Sequence, residues 1–207
     1  MLIISATGLR SWPLDKWGAL QFVHLRFPDY EHTRTINGVP EGWERKQLGD
    51  MIELKYGKAL KESDRIEGLF PVYGSSGIVG THNEALVKGP TIIVGRKGNV
   101  GSVYWSEKDC YPIDTVYFIE SGLCSFFLFH NLQHQNFMSS DAAVPGLNRK
   151  YACSLPIILP SRTIHSQFEE IVSPIYQQVL SLQAMNEKLK QARDLLLPKL
   201  MSGEIAV

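Results

Sequence analysis

The stretch TIIVGRKGNVGSVYW, residues 91–105, sets Gly95, Gly98 and Gly101 beside Arg96, Lys97 and Asn99. Glycine lets a backbone turn tightly and approach a phosphate, and the basic side chains supply matching charge. Three readings fit those residue types: a nucleotide cradle, a surface that holds nucleic acid, or a hairpin with solvated lysines. The cradle fails on residue order. A Walker loop requires G-x-x-x-x-G-K-[S/T], whereas Lys97 precedes Gly98 and no Lys-Ser or Lys-Thr pair follows a glycine. A dinucleotide fingerprint opens a helix after its strand, whereas GSVYW continues as strand.

Other catalytic or metal-binding patterns fare no better. The sequence has no H-E-x-x-H and no G-x-S-x-G. His130 and His134 stand four apart on an expected helix, but no carboxylate in that run completes a metal site, so packing or surface placement is the plainer reading. Pro28 and Asp29 followed by Glu44 and Lys46 spell a nuclease-like string, yet they flank a polar connector rather than adjacent strands. Glu169 and Glu170 read as a solvated helix face. No Pro-Pro pair is present to form an amino-methyltransferase motif. The chain offers no convincing catalytic constellation and no metal site.

What is left is a set of polar turns. One holds Tyr73, Ser75 and Ser76 ahead of Asn83. The second is the opening stretch with Arg96, Lys97 and Asn99, and the third, PGLNRK, offers Asn148, Arg149 and Lys150. Arginine makes forked contacts to guanine edges, asparagine suits adenine, and lysine neutralises phosphate. DNA contact and ordinary hairpin turns both satisfy this pattern, because Lys+Arg 21 balance Asp+Glu 21 and the net charge is zero.

The elements that would carry these turns form three regions. Residues 1–43 hold an expected short helix from Asp15 to Phe27, closed by Pro28, and then a connector poor in periodicity. Residues 44–160 contain TIIVG, GSVYW and DTVYFIE as strand-like runs, and PVYGSSGIVG as two short strands around a turn. SFFLFHNLQHQNFMSS favours a helix and SLPIILP a last extended piece, which together predict an α+β domain with a bent, mostly antiparallel or mixed sheet.

Residues 161–207 change character. Phe168, Ile175, Leu182, Leu189 and Leu196 recur every seven residues, with Val172, Val179, Asn186 and Arg193 at the complementary heptad position. This predicts a helix that pairs with another helix; packing of the same stripe on its own domain is the alternative. Pro174 predicts a kink or a break, and Pro198 an end, with Gly203 as a stop.

Cys110, Cys124 and Cys153 show no C-x-x-C spacing and read as buried thiols of a cytoplasmic protein. The opening MLIISATGLR lacks a basic leader, so no secretory signal is expected, and no run is long enough for a membrane span.

Several long stretches agree at once with one family. GWERKQLGD, FPVYGSSGIVGTHNEALVKGPTIIVGRKGNVGSVYW, YPIDTVYF and VPGLNRKYACSLPIILP resemble a target-recognition domain of the specificity subunit of type I restriction-modification systems. QFEEIVSPIYQQV and NEKLKQARDLLLPKLMSGEI are similar to that family's spacer helix and tail, and LQFVHLRFPDYEHT to the end of a preceding spacer segment. A full subunit of the family carries two recognition domains; this chain resembles half of one.

The resemblance implies a non-catalytic subunit that binds double-stranded DNA, reads one half of a split target and docks methyltransferase and restriction/translocase subunits. S-adenosylmethionine, ATP and Mg are expected on those partners and none on this chain. With one recognition domain, the heptad seam is expected to make a homodimer through the C-terminal helix. A second reading keeps only assembly: a half-subunit that binds partners without reading sequence.

Overall fold

The structure, a computed structural model, describes residues 34–36, 39–137 and 146–205. The chain divides into two compact units, one comprising 1–45 with 158–161, the other 46–157 with 162–207. In the first, β1 (Thr35–Ile36) and β2 (Val39–Pro40) pair antiparallel. The expected connector thus contains a miniature hairpin, which its lack of periodicity concealed. The expected helix from Asp15 to Phe27 lies outside the described residues.

Next in the chain come β3 (Glu44–Gln47) and β4 (Lys55–Tyr56). The second unit is built around a four-stranded antiparallel sheet in the order β4-β10-β7-β8, with β7 at Thr91–Gly95, β8 at Val103–Ser106 and β10 at Val116–Ile119. Central strand β7 is buried along its whole length, which is why it reads as an uninterrupted apolar run rather than an alternating one. Its single polar side chain is satisfied, because Thr91 Oγ1 donates to the Ile119 carbonyl at 2.6 Å. A second, mixed sheet places β5 (Phe70–Gly74) between antiparallel β6 (Gly77–His82) and parallel β9 (Tyr111–Pro112). The α+β class and all the expected strands are present.

Helix α1 (Phe126–His134) falls within SFFLFHNLQHQNF, as expected. PGLNRK, expected as a turn, leads directly into helix α2 (Arg149–Ser154), with Asn148 as its N-cap; β11 (Pro156–Leu159) follows. Then α3 runs unbroken from Arg162 to Met201, 40 residues with Pro174 and Pro198 inside it. Neither proline breaks or ends this helix. Both positions are solvent-exposed, and a carbonyl that loses its amide partner there is within reach of water. The stop comes at Gly203, whose φ of +74° lets its N–H reach the Leu200 carbonyl while the Glu204 N–H reaches Lys199.

The first turns of α3 are fastened to α1. Glu169 Oε2 and Oε1 accept from the Phe126 and Phe127 N–H groups at 3.2 and 2.8 Å, and Ser125 Oγ accepts from Leu128 N–H at 3.1 Å. Three N–H groups that a helix start leaves unpaired are therefore satisfied, two of them by a carboxylate that also suits the helix dipole. Trp105, Phe126 and Tyr176 stack in series at 4.5 and 4.2 Å, and Tyr176 Oη lies 3.1 Å from His130 Nε2. Glu169 is thus a cap rather than a solvated carboxylate, and His130 is a packing residue; among the described residues no cluster of metal-ligating type occurs.

The heptad seam divides in two. Phe168 faces Phe127 and His130 with ring centroids 6.2 and 6.3 Å away, so it serves its own domain, and Val172 is half-buried. Ile175, Val179, Leu182, Asn186, Leu189 and Leu196 are exposed. No helix among the described residues is long and apolar enough to cross a membrane. All three cysteines are free, but only Cys110 is fully buried; Cys124 and Cys153 are half-exposed, a correction to the sequence reading. Burial pushes the Cys110 and Cys124 thiols up to about 11.

Candidate nucleic-acid interface

The opening stretch is the loop of the β7–β8 hairpin. Val94 pairs with Val103, and between them Gly98 and Gly101 both take φ of +76°, a left-handed backbone that favours glycine. A side chain at Gly101 would also meet the Cβ of Phe137 at 2.7 Å. These glycines fold the hairpin tip.

Two further turns meet this one. Ser102 Oγ and Tyr104 Oη both donate to the Ser75 carbonyl, at 2.7 and 3.2 Å, binding the β5–β6 turn to the hairpin loop. On the other side Leu147 N–H donates to the Arg96 carbonyl at 2.7 Å, and Lys97 bridges Gly146. The Arg96 and Lys97 N–H groups both donate to the Thr115 carbonyl. The three polar stretches, far apart in sequence, thus converge on one face.

Cross-strand register explains the side chains at its centre. Tyr117 on β10 stands opposite Tyr56 on β4 and Val94 on β7, so Tyr56 and Tyr117 share a sheet face with their rings 5.0 Å apart, edge to face. Arg96, two residues beyond Val94, lays its guanidinium 4.9 Å from the Tyr56 ring centroid and 5.8 Å from that of Tyr117, and its Nη1 donates to the Asp114 carbonyl at 3.0 Å. Arg149, arriving from the third turn, sits 5.4 Å from the same Tyr56 ring. Tyr117 Oη donates to the Leu147 carbonyl at 2.9 Å, and burial, with Tyr56 beside it, pushes its phenol up to about 12. Lys97 Nζ lies 3.6 Å from Asp114 Oδ2 in an exposed pair worth little to stability.

Of the residues expected at this face, Ser76, Asn99, Asn148, Arg149 and Lys150 are exposed, and Ser75, Arg96 and Lys97 half-exposed. Asn148 is committed in part, since its Oδ1 accepts from Tyr151 N–H as the α2 cap. Two expectations are corrected. Tyr73 is only 7% exposed and packs with Ile93, Cys110 and Val116, because it lies in the buried half of β5, the central strand of its sheet, where Val72 and Gly74 are buried as well. Asn83 is exposed but lies just past the far end of β6, roughly 20 Å from the Ser75–Ser76 turn at the usual rise per strand residue. Tyr56 and Asp114 are not among the residues that the sequence pattern singles out; the lysines around Tyr56 in KYGK are the available signal, an aromatic interleaved with basic residues.

The chain is thus an α+β domain whose polar turns are bonded together beside Arg96, Lys97 and Arg149, followed by a long helix exposed over most of its length. Residues 40–191 match the Type I restriction modification DNA specificity domain, and the chain belongs to that family. It is 27% identical over 201 residues to the Type I restriction enzyme HindI specificity subunit of Haemophilus influenzae, covering 81% of this chain and 42% of that protein. It is 24% identical to the MjaVIII specificity subunit of Methanocaldococcus jannaschii, covering 86% and 47%. The fold superposes on a type I restriction-modification S subunit from M. genitalium with a TM-score of 0.67 at 17% identity, covering 82% of this chain and 48% of that one. The chain therefore spans about half the length of these relatives, and contains one recognition domain.

Proposed function

We propose that this chain is the DNA-sequence recognition component of a type I restriction-modification enzyme, reading one half of a split target without performing catalysis itself. The observation that carries this is the convergence of three polar turns, with Arg96, Lys97 and Arg149 on one face, inside a domain of the specificity family. Lys97 and Lys150 neutralise phosphate and Arg96 reads a base edge, with Ser76, Asn99 and Asn148 around them. Methyltransferase and restriction/translocase subunits, soluble in the cytoplasm with it, supply S-adenosylmethionine, ATP and Mg chemistry. The domain organisation follows the same plan: 1–43 as the remnant of a preceding spacer, 44–160 as the recognition domain and 161–207 as the helical region for pairing and assembly.

The exposed part of the heptad seam favours a second copy as partner for α3. Leu182 and Leu189, 60% and 67% exposed, are costly to leave in water along a straight stripe. A two-fold antiparallel pair places two identical recognition domains at opposite ends and predicts a symmetric, interrupted target. Light scattering of Leu182→Asp and Leu189→Asp tests the pairing: halved mass is expected, and unchanged mass removes it. Sequence-selective gel shift by the chain with its methyltransferase subunits tests the recognition; Arg96→Ala with unaltered affinity and preference would overturn the site assignment.

A further inference from the structure

Tyr56 stands at the centre of the face without any role in the reading above. Its ring is half-exposed, it sits on a two-residue strand, and it touches guanidiniums from two separate turns, Arg96 at 4.9 Å and Arg149 at 5.4 Å. Tyr117, pinned by its bond to Leu147, backs it edge-on. Gly57 follows it so closely against the Pro112 and Ile113 backbone that no side chain fits there, which fixes where β4 lies.

Arginine side chains are rich in rotamers, and ordering them on binding opposes affinity. The Arg96 side chain donates from Nη1 to the Asp114 carbonyl at 3.0 Å, which fixes the direction in which its forked edge points. Arg149 Nη1 lies 3.5 Å from the Leu54 carbonyl, a long contact that fixes it weakly, so the ring is its main support.

We propose that Tyr56 is a positioning residue for DNA recognition: its ring holds Arg96 and Arg149 at one fixed spread, so that the two guanidiniums meet acceptors of the same duplex segment already ordered. This rests on the DNA-recognition reading. The ring acts through the two arginines, by cation–π attraction, and contributes no charge of its own. It therefore sets affinity and base preference without changing the number of ions released on binding.

The test uses the full chain assembled with its methyltransferase subunits and a pool of random-sequence duplexes, with the enriched duplex then titrated at several salt concentrations. Tyr56→Phe is expected to select the same sequence with the affinity of the wild type. Tyr56→Leu is expected to bind about five- to tenfold more weakly, with relaxed base preference, and an unchanged slope of log K against log salt. In an Arg96→Ala/Arg149→Ala background, Tyr56→Leu is expected to cause no additional loss. Tyr56→Gln serves as a second variant if Tyr56→Leu folds poorly. Wild-type affinity and selection in Tyr56→Leu, or a full extra loss in the double-arginine background, overturns the positioning role. Failure of the wild type to enrich any sequence overturns instead the recognition reading on which it rests.

Discussion

Replacing Glu169 by alanine removes both oxygens that accept from the Phe126 and Phe127 N–H groups. A hydrogen bond to an ionised group contributes about 1.5–3 kcal/mol net, and a carboxylate at a helix N-terminus adds a few tenths to 1. The site is part-buried, so water regains some of the two donors. A loss of about 2–4 kcal/mol follows. Glu169→Gln keeps the shape but drops the charge and turns an amide donor toward one of the two N–H groups, so it recovers less than half of the loss. Urea unfolding followed by helix signal reads both values by linear extrapolation. The loss is local in origin but global in effect, because this cap and the Trp105–Phe126–Tyr176 stack fasten the start of α3 to the domain. If both variants fall within about 0.5 kcal/mol of the wild type, the range of an ordinary surface change, the fastening argument is wrong.

Two further perturbations separate charge from packing. Lys97→Ala should lower the slope of log K against log salt for duplex binding by about one unit while leaving sequence preference intact, since a phosphate contact carries no base information; altered preference with an unchanged slope would move Lys97 to the base edge. His130 titrates below its ordinary 6.5 because burial disfavours the imidazolium. The folded state therefore binds its proton less tightly than the unfolded state, so its contribution is full above pH 6.5 and is lost as acidification passes the lowered folded value. His130→Gln should flatten that acid slope of stability, as measured by unfolding at stepped pH.

Much of the domain was legible because its signals are local. TIIVG and DTVYFIE are β-branched and aromatic, and the glycines between Arg96 and Ser102 mark a turn whatever surrounds them. The convergence of the turns was not legible, because it depends on bonds such as Leu147 to Arg96 and Ser102 to Ser75, which only the sheet register brings within reach. Tyr73 shows the same limit from the other side: its place beside a glycine-serine turn suggests exposure, but the central position of β5 between β6 and β9 buries it with its neighbours Val72 and Gly74. Tyr56 belongs to a strand too short to show periodicity. Pro174 and Pro198 mislead because a proline costs a helix a roughly fixed amount, about 3 kcal/mol, which a 40-residue helix with exposed positions absorbs. Glu169 looked like surface because a heptad pattern describes its own helix and carries no information about the N-terminus of α1 packed against it.

The most direct test of recognition is the methylation pattern of a genome. Cells carrying the methyltransferase subunits are sequenced for modified bases with and without this chain, and again with Arg96→Ala. The account predicts an interrupted motif methylated only when the chain is present, symmetric if α3 pairs with its own copy, and degraded or shifted by Arg96→Ala. Identical methylation with and without the chain, or a motif indifferent to Arg96, contradicts it.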